Sequence, residues 1–293
     1  MTDQAKTDQA SSFYIGCAVW AYRDWVGDLF PLGSRTQDFL ALYSRRLTAV
    51  EGNTTFYSTP DAATVQRWHD ETPPGFQFCL KLPRTITHGG LLTPQLPAAI
   101  VFLDRMQLLG DRLGPCFAQL PPSYGSQYLS DLANFLQGWP HDRLPLCLEV
   151  RHMDWFRDPH AQQLNDLLRS HHVGRVLLDT RAIYDGDDDP QVHSQRKKPP
   201  VPLQPVVTSD RVIIRYISHP DLDRNQDYLA EWVQHIGHWL QAGQQVYFFA
   251  HCPMEARSPR IAKLIQHGLE RSGVAVPPLP WDHVQQTQQL SLF

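Results

Sequence analysis

The stretch VEGNTTFYSTP (50–60) carries a carboxylate, Glu51, and an amide, Asn53, straight out of an apolar run. Chemistry-bearing residues recur in the same way along the chain. Glu51, Glu149 and Asp179 supply carboxylates, and Lys81, Arg151 and Arg215 supply cations. Gln119 adds a second amide, and His251 and His152 can move protons near neutral pH. Such a set can hold an anionic group on its cations while a carboxylate or imidazole acts as acid or base. A divalent metal on Glu149, Asp179 and His251 is a second possibility, opposed by three cations competing for the same carboxylates. The chain carries neither a phosphate-cradling glycine loop nor a dinucleotide fingerprint. No serine or cysteine stands in a recognisable nucleophile setting, and Cys147 and Cys252 read as inert thiols.

Eight short apolar runs position these residues: YIGCAVW (14–20), TAVEGN (48–53), FQFCLKL (76–82), CFAQL (116–120), LCLEV (146–150), RVLLD (175–179), RVIIRY (211–216) and QVYFFAH (245–251). They are rich in β-branched and aromatic residues and bounded by turn formers, as strands are. Helical patterns lie between most of them. TQDFLALYSRRL puts Phe39, Leu40, Tyr43 and Leu47 on one face. Further helices are expected to start from Thr59, from Asp158 ahead of Pro159, and from Ser258, and one is expected to stop at Gly243. Eight strands alternating with helices predict an α/β fold of the (β/α)8 TIM-barrel type; a doubly wound open sheet is the alternative. The unit from 181 to 210 holds five prolines and no helical period, so the sixth helix is expected to be missing or replaced by a loop. Its QRKK (195–198) reads as a solvated stretch or an anion contact.

Strand side chains alternate between faces, and the outer face of a parallel barrel meets helices and is apolar. That parity points Glu51, Asn53, Lys81, Gln119, Glu149, Arg151, Asp179, Arg215 and His251 inward, each late in its strand. Barrel interiors are otherwise packed with apolar groups, and barrel sites gather at the C-terminal ends of the strands. The pattern therefore predicts one polar site there.

The chain has 293 residues and a net charge of −4, with no basic excess that would mark its whole surface for a polyanion. Its five cysteines form no CxxC pair, which suggests neither a disulfide framework nor a thiolate zinc site. The polar N-terminal stretch lacks an apolar core, and no run reaches membrane-span length, so the expected location is cytoplasmic. Three regions are expected: a flexible segment (1–12), one barrel domain (13–275) and a flexible tail (276–293).

The motifs GCAVWAYRDWVGDLFP, VEGNTTFYSTP with Trp68 following, FCLKLPRTITH, AQLPPSY, LEVRHMDWF and LLDTR occur in the order of one known family. The chain resembles the DUF72 (YecE-like) family from about Tyr14 to about Gly268. The resemblance implies a (β/α)8 barrel and no settled reaction. It implies as site residues Trp20, Glu51, Asn53, Lys81, His88, Gln119, Glu149, Arg151, His152, Trp155 and Asp179. Two stretches depart from the family pattern: RYISHP (215–220) keeps Arg215 but not the usual Arg-x-His-Gly, and FFAHCP (248–253) has His251 and Cys252 in place of amides.

The last stretch turns polar and glutamine-rich before Gln289, Leu290, Ser291, Leu292 and Phe293. These five residues resemble the peptide by which bacterial replication and repair proteins bind the DNA sliding clamp. The resemblance implies an amide contact from Gln289 and apolar anchoring by the Leu and Phe side chains. The residues together suggest an enzyme acting on an anionic substrate, a phosphoester or nucleic acid, recruited to DNA by the clamp. A non-catalytic ligand-binding or adaptor protein using the same cleft is the alternative.

Overall fold

The structure, a computed structural model, describes residues 13–283 other than 193, 195 and 196. All eight apolar runs form strands: β1 (Phe13–Cys17), β2 (Ala49–Gly52), β3 (Gln77–Leu80), β4 (Cys116–Gln119), β5 (Leu146–Glu149), β6 (Gly174–Asp179), β7 (Arg211–Ile217) and β8 (Gln245–His251). Every ladder is parallel. One sheet runs β1-β8-β7-β6-β5-β4, and β2 pairs with β3 in a second. The circular order of the eight strands follows the chain, as in a barrel, but the ladder is interrupted between β1 and β2 and between β3 and β4.

Individual hydrogen bonds cross these two seams. Between β1 and β2, Thr48 N donates to Ile15 O at 3.0 Å, and Ile15 N donates to Thr48 Oγ1 at 2.8 Å. The Tyr43 hydroxyl is inserted where a ladder bond is missing. It accepts from Cys17 N at 2.6 Å and donates to Ala49 O at 3.0 Å. The strands approach so closely here that a Cβ on Gly16 would lie 1.9 Å from Ala49 O. At the other seam, Gly114 N donates to Phe78 O at 3.1 Å and Leu82 N to Phe117 O at 2.9 Å.

The inner layer consists of Tyr14, Ala49, Cys79, Phe117, Cys147, Val176, Ile213, Tyr247 and Phe249. Every strand contributes to it, so this layer defines the inward parity of all eight. Glu51, Lys81, Gln119, Glu149, Arg215 and His251 share that parity, each two residues beyond a member of the layer. Asp179 does not. Val176 and Leu178 face inward on β6, so Asp179 faces the helices, contrary to the sequence expectation. RVLLD is apolar on both faces, and a period of two therefore carries no signal in it.

The helices pack their apolar faces against the outside of the strands, around Leu40, Val65, Phe102, Leu132, Leu164, Trp232 and Ile265. Three expected helix starts are displaced. The helix Ala62–Glu71 is capped by Asp61, which accepts from Thr64 N at 2.8 Å, rather than by Thr59. In His160–Ser170, Pro159 itself takes the flanking position and leaves Asp158 a residue outside it. Ser258 is the first helical residue of Ser258–Arg271, because a short turn over Glu255–Arg257 runs straight into the helix. Gly243 follows Gln226–Gln241 at φ +86°, the left-handed stop expected of it. No helix among the described residues is long and apolar enough to cross a membrane.

The connection from β6 to β7 has only the one-turn helix Arg181–Tyr184 before irregular chain. A small cluster of Leu178, Ile183, Val201 and Ile217 pins it across the end of the barrel. All five cysteines are buried and free. Beyond 276, where a mobile tail was expected to begin, Leu279 is buried and Trp281 N donates to Arg46 O at 3.1 Å. The residues from Gln289 to Phe293 lie outside the described residues.

Removing the Tyr43 hydroxyl leaves a buried N–H and a buried carbonyl unpaired at the β1–β2 seam. Tyr43→Phe is expected to destabilise the protein by about 1–3 kcal/mol. A lower denaturant midpoint by circular dichroism checks this, and an unchanged midpoint contradicts the role of the hydroxyl in the seam.

Candidate functional site

Four strand ends deliver the floor of the site. Arg215, from β7, is buried and forks onto Glu51 of β2, Nε to Oε2 at 2.8 Å and Nη2 to Oε1 at 2.7 Å. Its Nη1 donates to Oε2 of Glu149 on β5. The other oxygen of Glu149 accepts from Arg151 Nε at 2.8 Å. Glu51 also meets His251 Nε2 of β8 at 2.8 Å and accepts from Asn53 Nδ2 at 2.7 Å. Asn53 is held in turn by the Ala18 carbonyl at 3.0 Å. Two buried carboxylates thus face two guanidinium groups, and every carboxylate oxygen has a partner.

The ionisation of these groups follows from burial and charge. Burial pushes the Glu51 carboxyl up, but Arg215 and His251 overcome it and hold the group well below its ordinary range. Glu149 is likewise opposed by burial, and Arg215, Arg151 and Lys81 bring it down to about 2. Burial dominates at His251 and lowers it to about 4 despite Glu51. The imidazole beside Glu51 is therefore neutral near pH 7.

Above this floor opens a cleft of about 810 Å³. Lys81, from the end of β3, donates Nζ to Gln119 Oε1 at 2.6 Å and sits 3.8 Å over the Phe56 ring. Burial, reinforced by Arg215, lowers its amine to about 7. His88 lies edge-on to Phe56 and is brought down to about 4 by burial and then by Lys81. Arg84 lines the same wall. The irregular β6–β7 connection adds Lys197 and Lys198 to the lining. Lys197 pairs with Asp189 at 2.6 Å, whereas burial, ahead of Arg215, lowers Lys198 to about 8. Glu255 lines the cleft where the chain leaves β8.

The structure thus brings Glu51, Asn53, Lys81, His88, Gln119, Glu149, Arg151, Arg215 and His251 to one end of the barrel. It places the other expected site residues elsewhere. Asp179 lies on the outer face, where its carboxylate accepts from Trp232 Nε1 at 2.8 Å and from Arg181 Nε and Nη2, both at 3.0 Å. Trp20 packs edge-on against Trp68 at 5.2 Å, away from the cleft. Trp155 is buried and donates Nε1 to Tyr124 O at 2.8 Å. His152 accepts from Asp154 N at 3.2 Å and so caps a short turn. With Asp179 outside, the trio Glu149, Asp179 and His251 cannot share a metal. No cluster of three His, Cys, Asp or Glu suited to an ion occurs among the described residues. Sequence reasoning missed Glu255 and Arg84 and left Lys198 open. Arg84 and Glu255 open short helical turns just beyond β3 and β8, and Lys198 lies in the irregular β6–β7 connection, where no period of two marks a facing side; nearness to a strand end was a signal for the first two alone.

Because the carboxylate pKa values are depressed, their stabilisation is present above the ordinary carboxylate range and is lost as pH falls toward about 2. Arg215→Met leaves Glu51 without a cation and Glu149 with Arg151 alone, and is expected to cost about 3–5 kcal/mol at neutral pH. The deficit should shrink on acidification, as protonation relieves the stranded carboxylates. Denaturant titrations of both proteins at pH 7 and pH 4 check this; a deficit independent of pH contradicts it.

Residues 14–284 match the family model "Protein of unknown function DUF72". The chain is 34% identical over 286 residues to the UPF0759 protein YecE of Escherichia coli K12, covering 96% of this chain and 99% of that protein. It is 23% identical over 256 residues to the UPF0759 protein YunF of Bacillus subtilis, covering 80% and 86%. Among solved structures, a DUF72 family protein from Enterococcus faecalis V583 superposes with a TM-score of 0.68 at 16% identity, over 91% of this chain and 98% of that one. Another, from Thermotoga maritima MSB8, gives 0.65 at 21% identity, over 88% and 99%. These two share the fold, a TIM-like arrangement of strands and helices. A family model that spans almost all the described residues, and a relative one-third identical along its whole length, make this chain a member of the DUF72 family.

Proposed function

We propose that the cleft is the active site of an enzyme that acts on an anionic substrate, a phosphoester or nucleic acid. The charge count in the cleft carries this reading. Glu51 and Glu149 are already matched by Arg215 and Arg151. Lys81, Lys198 and Arg84 face the same cleft and have no carboxylate within ion-pair distance among the described residues. Lys81 is buried, Lys198 half-buried and Arg84 exposed at the rim; cations gathered at one cleft without a carboxylate to match them favour an anionic guest. Arg151 spends only Nε on Glu149, and its Nη groups make no hydrogen bond among the described residues. Its guanidinium suits an oxyanion, with Lys81 and Lys198 adding charge.

The reading includes acid–base work. An amine at about 7 carries comparable amounts of its two forms at neutral pH, so Lys81 can accept or release a proton beside the bound anion. His251, oriented by Glu51, is a second candidate acceptor. Glu51 and Glu149 act by holding Arg215 and Arg151 in place. Hydrolysis and elimination of a phosphoester both need such groups. A non-catalytic binding protein would use the same cations without the titrating amine.

Lys81 gives a test with two readouts. Its amine is depressed, so the unfolded chain binds a proton that the folded one lacks between about 7 and 10.5, and folding strengthens as pH rises through that window. At pH 7 the buried amine therefore costs stability. Lys81→Met is expected to melt at a higher temperature than the wild type at pH 7, with the gain fading toward pH 10. The same variant is expected to lose inorganic phosphate binding by roughly tenfold or more in calorimetry. Retained phosphate affinity would contradict the anion site.

Recruitment to DNA is the second part of the proposal and rests on the sequence of Gln289 to Phe293. A clamp tether raises local concentration at DNA without a basic surface, which suits a chain of net charge −4. Titration of the protein against a bacterial sliding clamp is expected to show binding that deletion of Gln289 to Phe293 abolishes while the melt stays unchanged. Binding that survives the deletion ends this part.

A further inference from the structure

Glu255 is the one acidic side chain of the cleft that the buried ion-pair network does not use. It follows β8 in HCPMEARSP, where Trp25 Nε1 donates to its backbone carbonyl at 3.2 Å and fixes the turn. Its Oε1 is buried and has no hydrogen-bond partner among the described residues. Buried carboxyl oxygens are normally satisfied; here the Ser258 hydroxyl, one turn on, is the nearby donor and is itself buried without a well-formed bond, so this wall of the cleft is left polar and incompletely paired. The residue lines the same cleft as Lys81, Arg151 and Lys198.

We propose that Glu255 binds the anion in this cleft as a neutral carboxylic acid, donating its proton to an oxygen of the guest. This deepens, and rests on, the reading of the cleft as an anion site. The guest is an oxyanion with acceptor oxygens, such as a phosphate ester, held by the cations of the cleft and by an O–H donor beside them. An ionised Glu255 would repel it, so the site accepts anions only while the proton is kept.

The surroundings of Glu255 suit retention of the proton. Burial is the largest influence and raises the carboxyl to about 8. Lys198, from the β6–β7 connection, pulls it down, and Glu51, from β2, pushes it up. Ser258, one turn on, also favours the ionised form. Cys17 of β1, and Tyr43 and Tyr22 from the following elements, face it as weak acids that are neutral at pH 7. Cys252, on its own segment, is raised to about 11 and is also neutral there. Lys198 is thus the one oppositely charged side chain among these neighbours.

The test is calorimetric titration with sodium sulfate, whose charge does not change between about pH 6 and 9, on the full-length wild type, Glu255→Gln and Lys81→Met. Lys81 loses charge in this window in both proteins, and an ionised Glu255 keeps Lys198 charged to higher pH in the wild type, which works against the expected difference, so a ratio that favours Glu255→Gln reads Glu255 itself. The two are expected to bind alike at pH 6. At pH 9 the Gln variant, which keeps a donor and gains no charge, is expected to bind about tenfold more tightly. The same ratio at both pH values overturns the role of Glu255 while leaving the anion site intact. Wild type that binds sulfate no better than Lys81→Met at any pH removes the anion site and this inference with it. Should Glu255→Gln not fold, the infrared band of a protonated carboxyl group in the wild type reads the same group. It is expected at pH 7, shifted by sulfate and lost by about pH 9; its absence, or indifference to sulfate, overturns the proposal.

Discussion

The bidentate pair between Arg215 and Glu51 holds the site together, because it spans the two sheets. Arg215 belongs to the six-stranded sheet and Glu51 to the two-stranded one. The same guanidinium reaches Glu149, so three strands that are not neighbours in the ladder converge on one cation. A charge removed from water in this way is tolerated only with complete partnering. The partnering here is complete: both oxygens of each carboxylate are occupied, and Asn53, His251 and Arg151 supply what Arg215 does not. The positions of Asn53, His251 and Arg151 at the mouth follow from this need.

The same arrangement explains why the cleft is electropositive while the chain is not. The floor cancels its own charge, and the charged side chains above it are lysine and arginine apart from Glu255. Desolvation then works in opposite directions on the two kinds of side chain. It strips Lys81 and Lys198 of part of their charge and makes Glu255 hold its proton. Groups of ordinarily distant acidity are thereby brought into one narrow range around neutrality, a pattern associated with sites that bind or transfer protons.

Much of this was legible in the sequence, and the reasons differ by residue. The eight strands were legible as short apolar runs between turn formers. Glu51, Lys81, Gln119, Glu149, Arg215 and His251 were legible because each interrupts an alternating strand on the face where a side chain must be apolar or functional. Asp179 was misplaced because RVLLD does not alternate. His152 and Trp155 follow the fifth strand closely, yet turn geometry sends one to a backbone cap and the other into the core, which spacing cannot reveal. Lys198 and Glu255 reach the cleft through loops whose paths depend on tertiary packing. The displaced helix starts share a cause: several residues near each start could cap, and the packing of the preceding chain chooses among them.

The two breaks in the ladder fall on either side of one parallel pair, β2 with β3. A strip of wall with a seam along each edge lacks the continuous ladder that joins each inner strand of the six-stranded sheet to both its neighbours. Glu51 and Lys81 ride on that strip together, one anion and one titrating cation. Both reach off the strip for their partners, Glu51 to Arg215 of β7 and Lys81 to Gln119 of β4. Side chains thus close what the backbone ladder leaves open, with a tyrosine hydroxyl at one seam, a lysine amine at the other and a guanidinium across the mouth.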